Sequence, residues 1–232
     1  MSTAAIVPAA GRGERLGAGG PKALRQLAGV PMLAHAVRAL AAADVVTLVV
    51  VAAPPDRVDD VRRLLRDEHA DAGLDVVAGG PSRTASVRAA LAVLPPEVTT
   101  VLVHDAARPL APSSLAEAVA AAVAAGADAA IPVVPVTDTV KTVDGDLVTA
   151  TIDRSALRSV QTPQGFRREV LERAHRDHEP GGPDATDDAG MVERLGLRVV
   201  VVPGHDEAFK VTRPLDLLLA ETVLARRGSA GG

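Results

Sequence analysis

The chain has 232 residues, 47% hydrophobic and 23% charged, which is enough apolar material to pack one large domain and rules out wholesale disorder. It contains no cysteine, so disulfides, thiolate metal centres and cysteine nucleophiles are excluded. With a net charge of −4, dispersed basic residues and only Phe166 and Phe209 as aromatics, it lacks the basic grooves and stacking platforms of a nucleic-acid binder. Met1-Ser2-Thr3 does not open a basic-then-apolar signal segment, and no apolar run approaches a membrane span. A cytoplasmic protein with no nucleic-acid or membrane partner is expected.

In chain order, the apolar run 4–7 predicts a buried strand. It breaks into a loop that, up to Lys22, holds five glycines and the cations Arg12, Arg15 and Lys22. Glycines let a backbone approach a ligand and turn its N–H groups inward, which suits phosphate. The P-loop pattern fails, because Lys22 lies between Pro21 and Ala23; the dinucleotide fingerprint fails at Leu16. What stands is A-A-G-x-G-x-R-L-x4-P-K over 9–22. The alternative is a glycine-rich surface turn with solvated arginines.

Beyond it, helical spacing over 31–43, a β-branched run at 45–52, an exposed helix at 57–69 and a third strand at 74–78 alternate in order. A helix at 82–94, a strand at 98–104 and an alanine-rich helix at 113–125 continue the pattern. Such alternation predicts an α/β fold: a Rossmann-like, mostly parallel twisted sheet with helices on both faces and ligands at the carboxyl ends of the strands. The pattern then changes. Residues 133–150 alternate β-prone pieces with the turn Asp144-Gly145-Asp146, which predicts a protruding β-arm reaching a partner subunit. Helices at 170–178 and 186–195, a strand at 197–202, a closing helix at 213–226 and a disordered tail at 227–232 complete a single domain.

Several groups fall at predicted strand ends. Gly79-Gly80-Pro81-Ser82-Arg83-Thr84-Ala85-Ser86 follows the third strand, with Ser82 placed to cap the next helix. His104-Asp105-Ala106-Ala107-Arg108 ends the fourth; Asp105 could hold Mg²⁺ or a sugar hydroxyl, and Arg108 a phosphate. His104 reads as structural, since nothing pairs with it as a metal ligand would require. Thr139, Lys141, Arg154, Gln161-Thr162-Pro163-Gln164 and Phe209-Lys210-Val211-Thr212-Arg213-Pro214 are further polar clusters.

Together these pieces resemble the 2-C-methyl-D-erythritol 4-phosphate cytidylyltransferases of the non-mevalonate isoprenoid pathway, within the sugar-phosphate nucleotidyltransferase superfamily. The pattern covers the 9–22 loop, GGxxRxxSV at 79–87, VHDAARP at 103–109, PVxDTxK at 135–141, TPQ at 162–164 and KVTRPxDLxLAE at 210–221. The resemblance implies that Arg15, Lys22, Arg154 and Lys210 are catalytic, the first two on the CTP phosphates and the others on the acceptor. It implies that Ala9, Ala10, Gly11, Gly13, Gly80, Arg83 and Ser86 bind CTP, and that Asp105, Arg108 and Thr139 line the acceptor pocket, Thr139 reaching it from the partner. Mg²⁺ as a cofactor, carried mainly by the CTP phosphates with Asp105 as its protein ligand, and a homodimer through the arm are also implied. The chain departs from the pattern at Ala23, Pro81, Glu207 and Phe209, none of them a group given a catalytic role. A ribitol-5-phosphate cytidylyltransferase and a non-catalytic nucleotide-binding protein remain alternatives.

Overall fold

A computed structural model describes residues 2–11, 21–68, 72–178 and 187–230. Its elements run β1 (Ser2–Pro8), β2 (Gln26–Leu27), β3 (Val30–Pro31), α1 (Met32–Ala41), β4 (Val46–Ala53), α2 (Val58–Leu64), β5 (Gly73–Ala78), α3 (Arg83–Leu91), β6 (Val98–Val103) and α4 (Ser113–Ala124). There follow β7 (Ala129–Pro135), β8 (Val140–Asp144), β9 (Leu147–Ile152), β10 (Arg158–Val160), β11 (Gln164–Arg167), α5 (Arg168–Asp177), α6 (Asp188–Arg194), β12 (Val199–Pro203) and α7 (Pro214–Ala230).

The main sheet has the order β10-β7-β11-β6-β1-β4-β5, with β12 also on β7. β1, β4, β5 and β6 are mutually parallel, and β12 runs parallel to β7. β10 and β11 run against their neighbours. The expected mostly parallel α/β sheet is therefore present, with two reversed strands supplied by the short segments around Thr162-Pro163.

The central strands are apolar on both faces because helices cover both. Ala5, Val7, Val49 and Val51 face a core shared with α1, α2 and α4, whereas Ala4, Ile6, Val50 and Ala52 face one shared with α3, α5 and α6. The period-two alternation of strand side chains divides one continuous apolar run between two cores. Phe166, fully buried on β11, is the largest side chain of the second core. Gly165 beside it has to be glycine, since a Cβ there would sit 2.5 Å from Val119 Cγ1.

Two expectations need correcting. The arm does not begin at 133: Ala129–Pro135 is an interior strand, buried over its first five residues, and the hairpin is β8–β9, ending at Ile152. The tail does not fray at 227 either. α7 continues to Ala230, and Arg227 anchors it by donating to the Leu110 carbonyl at 2.8 Å and to the Glu207 carboxylate.

Candidate active site

A cavity of about 200 Å³ opens where β1, β5 and β6 end, lined among the described residues by Ala9, Ala10, Gly11, Lys22, Arg83, Ser86, Asp105 and Lys210. Sheet geometry brings them together. The Ala9 N–H donates to the Ala52 carbonyl at 2.8 Å, Gly79 N–H to the Ala53 carbonyl at 2.7 Å and His104 N–H to the Ile6 carbonyl at 2.9 Å. Each bond continues the ladder one step past a strand, so three loops leave the sheet at one level, as expected for a ligand site on an open α/β sheet.

The wall from Gly79 to Ser86 is held by its own polar groups. Ser82 caps α3, its Oγ accepting from the Ala85 N–H at 3.1 Å. The buried Ser86 hydroxyl donates to the Ser82 carbonyl at 2.9 Å and accepts from the Gly80 N–H at 3.1 Å. Ser86 thus shapes the glycine turn from within. A Cβ at Gly79 would stand 2.7 Å from Ala10 Cβ, and one at Gly80 2.4 Å from Ala85 Cβ, so the glycines allow the first loop and α3 to pack this closely.

Asp105 is the centre of charge. Its Oδ2 lies 2.7 Å from Lys210 Nζ and its Oδ1 accepts from Arg83 Nε at 3.3 Å. Burial alone would raise its pKa; Arg83 and Lys210 outweigh that and hold the carboxyl well below the usual carboxylate range. Arg83 reaches on to Asp188, 2.6 Å from its Nη1, and the two carboxylates push its already high pKa higher against the opposing effect of burial.

Behind Asp105 lies a neutral relay. The Asp105 N–H donates to Thr162 Oγ1 at 3.0 Å, the Thr162 hydroxyl donates to His104 Nδ1 at 3.0 Å, and His104 Nε2–H donates to the Arg108 carbonyl at 3.2 Å. Burial pushes the His104 pKa from the ordinary 6.5 down to about 4, so the ring is neutral at pH 7 and its structural reading agrees with its geometry. The folded ring resists protonation that the unfolded one accepts, so stability falls as pH drops from 6.5 towards 4. A melting-temperature profile is expected to decline over that window in the wild type and to decline less steeply in His104→Asn, the remaining slope including that of His35, whose pKa burial also lowers. An unchanged slope in that variant would contradict the neutral relay.

The remaining expected site residues divide as follows. Lys22 and Lys210 face the cavity, as do Ala9, Ala10, Gly11, Arg83, Ser86 and Asp105; Gly80 forms the turn beneath Ser86. Arg15 and Gly13 lie outside the described residues. Arg108 is not among the residues lining the cavity, although its charge acts on Asp105; its guanidinium donates to the Ala208 carbonyl at 2.7 Å and the Val160 carbonyl at 3.0 Å. Arg154 donates to the Thr137 carbonyl and, with Thr139, sits at the base of the hairpin rather than in the cavity wall. Among the described residues no cluster of three acidic or imidazole groups could hold a metal. Asp105 is the one carboxylate in the cavity wall among them, a donor set that fits Mg²⁺ taking most of its ligands from nucleotide phosphates.

Sequence reasoning gave no role to Thr162, Gln164, His175 or Asp188. Gln164 donates from Nε2 to Asp187 at 2.7 Å and accepts from the Ala189 N–H at 3.2 Å, so it clamps the start of α6. The signal for Asp188 was in the sequence: an acid in line with Ala189, Met191 and Val192 at the start of an apolar helix has to find a buried partner.

An open α/β sheet with a glycine-bearing first loop, and with lysines and a carboxylate gathered at its strand ends, is the architecture of a nucleotidyltransferase. The model of the family 2-C-methyl-D-erythritol 4-phosphate cytidylyltransferase matches residues 3–226. The chain is 59% identical to the protein of that name from Streptomyces coelicolor, over 97% of this chain and 86% of the relative. Among solved structures it is similar to the 2-C-methyl-D-erythritol 4-phosphate cytidylyltransferase of Thermus thermophilus, with TM-score 0.76, 36% identity and 96% and 98% of the two chains covered. It is also similar to the 4-diphosphocytidyl-2C-methyl-D-erythritol synthase of Anaerococcus prevotii, with TM-score 0.83, 26% identity and 97% and 98% covered. The chain belongs to the 2-C-methyl-D-erythritol 4-phosphate cytidylyltransferase family.

Proposed function

We propose that the chain joins CTP and 2-C-methyl-D-erythritol 4-phosphate to give 4-diphosphocytidyl-2-C-methyl-D-erythritol and pyrophosphate. The observation that carries this is the meeting of Lys22, Arg83, Asp105 and Lys210 in one strand-end cavity, within a chain 59% identical to a relative of that name.

In the step itself, an oxygen of the acceptor phosphate forms a bond to the α-phosphorus of CTP. The bond from that phosphorus to the bridging oxygen breaks, and pyrophosphate leaves with the electron pair. No side-chain nucleophile is needed, which suits a chain without cysteine. Catalysis then consists of alignment and charge neutralisation. Lys22, with Arg15, meets the charge that grows on the nucleotide side. Lys210, held by Asp105, meets the acceptor phosphate, assisted by Arg154. The Gly79-Gly80 turn and the backbone from Ala9 to Gly11 leave room for the cytidine. Mg²⁺ on the triphosphate would shield its charge and stabilise the departing pyrophosphate.

The acceptor is tested by comparing turnover of CTP with methylerythritol 4-phosphate and with ribitol 5-phosphate. Faster turnover with the first is expected; the reverse would reassign the acceptor pocket while keeping the reaction. The presence of Lys210 and Arg154 together with Arg15 and Lys22 argues against mere nucleotide binding, which would need no acceptor-side cations.

The active form is proposed to be a homodimer in the cytoplasm. Arg154 and Thr139 stand away from their own chain's cavity, and the hairpin exposes Val143, Leu147 and Val148, apolar side chains suited to a second copy. If the hairpin completes the partner's site, inactive Lys22→Ala and Arg154→Ala chains should rescue each other when unfolded and refolded together. Heterodimers then carry one intact site in two, giving roughly a quarter of wild-type activity for a random two-fold mixture. Absence of rescue, with heterodimers demonstrated, would place Arg154 in its own chain's site.

A further inference from the structure

Asp188 is fully buried, yet none of its atoms reaches the cavity wall. Its carboxylate joins two elements: Oδ2 accepts from Arg83 Nη1 at 2.6 Å, and Oδ1 lies 2.8 Å from His175 Nε2. Burial alone would raise its pKa; Arg83 first, and then His175, bring it below the ordinary carboxylate value. The parts around it are fastened in turn. Asp187 caps α6, its Oδ1 accepting from the Gly190 N–H at 2.9 Å while its Oδ2 is gripped by Gln164. The carbonyl of His175 accepts from Arg88 at 2.6 Å, which ties α5 to α3, the helix that Arg83 begins.

An arginine side chain has several rotatable bonds and would not keep one pose at a cavity wall without help. Here Nη1 is fixed from below by Asp188, and Nε is left facing Asp105. We propose that Asp188 is a positioning residue for nucleotide binding: it locks Arg83 into the cavity wall and divides the guanidinium between two carboxylates, so that Asp105 keeps one oxygen for Lys210. Without it Arg83 is free to turn fully onto Asp105 as a bidentate pair, displacing Lys210, or to swing into the space intended for CTP. The proposal rests on the cytidylyl-transfer reading for its catalytic consequence, but the binding consequence stands by itself.

The test is a double-mutant cycle of Asp188→Asn and Arg83→Gln, read as the dissociation constant for CTP by calorimetry, alongside kcat and KM. Asp188→Asn is expected to weaken CTP about tenfold, to raise KM more than it lowers kcat, and to add less than about twofold in the Arg83→Gln background, because both changes remove one unit. Losses that multiply across the cycle, or wild-type CTP affinity in a folded Asp188→Asn chain, would overturn it, since a merely structural role would act in either background. Should Asp188→Asn not fold, Asp188→Glu keeps the charge but shifts Arg83 by one methylene and is expected to weaken CTP similarly; unchanged affinity there overturns the proposal. A wild type that binds CTP without releasing pyrophosphate would sink the transfer reading alone, and one that does not bind CTP would sink both.

Discussion

Lys22→Ala is expected to lower kcat by ~10²–10³ with the fold retained, the scale seen when one preorganised transition-state donor is removed. Lys22 begins the short turn that follows the first loop and lines the same cavity as Lys210. Its side chain is only partly buried, so the chain should still fold without it. As charge leaves the α-phosphorus for pyrophosphate, an ammonium group there stabilises the transition state more than bound CTP. The penalty should therefore fall on kcat, with the KM for CTP changing much less. Wild-type turnover in a folded Lys22→Ala chain would remove the lysine from the chemistry.

Asp105→Asn should affect both activity and stability. The carboxylate, 12% exposed, pairs with Lys210 and Arg83 at once, and an amide would turn its NH₂ towards one of those cations. Breaking a largely buried pair on one side costs ~3 kcal/mol, and Lys210, 41% exposed, softens that by turning to solvent. A lysine in solvent no longer meets the acceptor phosphate, so kcat/KM for the acceptor should fall by about a hundredfold or more, in line with lost positioning. The pH dependence has a defined sign. Because the folded pKa is depressed, the stability that this carboxylate contributes is present above the ordinary carboxylate value and is lost as pH falls below it. The melting-temperature gap between wild type and Asp105→Asn should be full at neutral pH and narrow below about pH 4. A gap constant down to about pH 2 would mean that the charge is not what stabilises Asp105.

Much of this was legible in the sequence, for physical reasons specific to each segment. β1, β4, β5 and β6 are largely apolar runs bounded by turns, and each motif begins where a run stops, so the strand-end location of Gly11, Gly79 and Asp105 followed from pattern alone. The end of β7 reads in sequence as part of the arm because β-prone pieces run on from 133 to the turn Asp144-Gly145-Asp146 without a break; what separates them is tertiary burial, which local pattern does not carry. Arg227 looked like the start of a tail because its anchor, the Leu110 carbonyl, lies 117 residues away. The Arg83–Asp188 pair spans 105 positions, and the Thr162–His104 bond 58. The local sequence does not name the partners: a threonine in a TPQ turn looks like an ordinary turn residue, and the place of Asp188 among the apolar positions of α6 asks for a buried partner without saying which. For Arg108 the sequence shows the fork and charge that suit phosphate, and the two backbone carbonyls it also holds, 100 and 52 residues away, leave no local trace.

The most direct test of the proposed reaction is pyrophosphate release by the purified chain with CTP, Mg²⁺ and methylerythritol 4-phosphate. Release that requires both substrates and matches the 4-diphosphocytidyl product mole for mole is expected. Tight CTP binding with no release in the presence of the acceptor would contradict it, and would leave the cavity as a nucleotide-binding site without transfer.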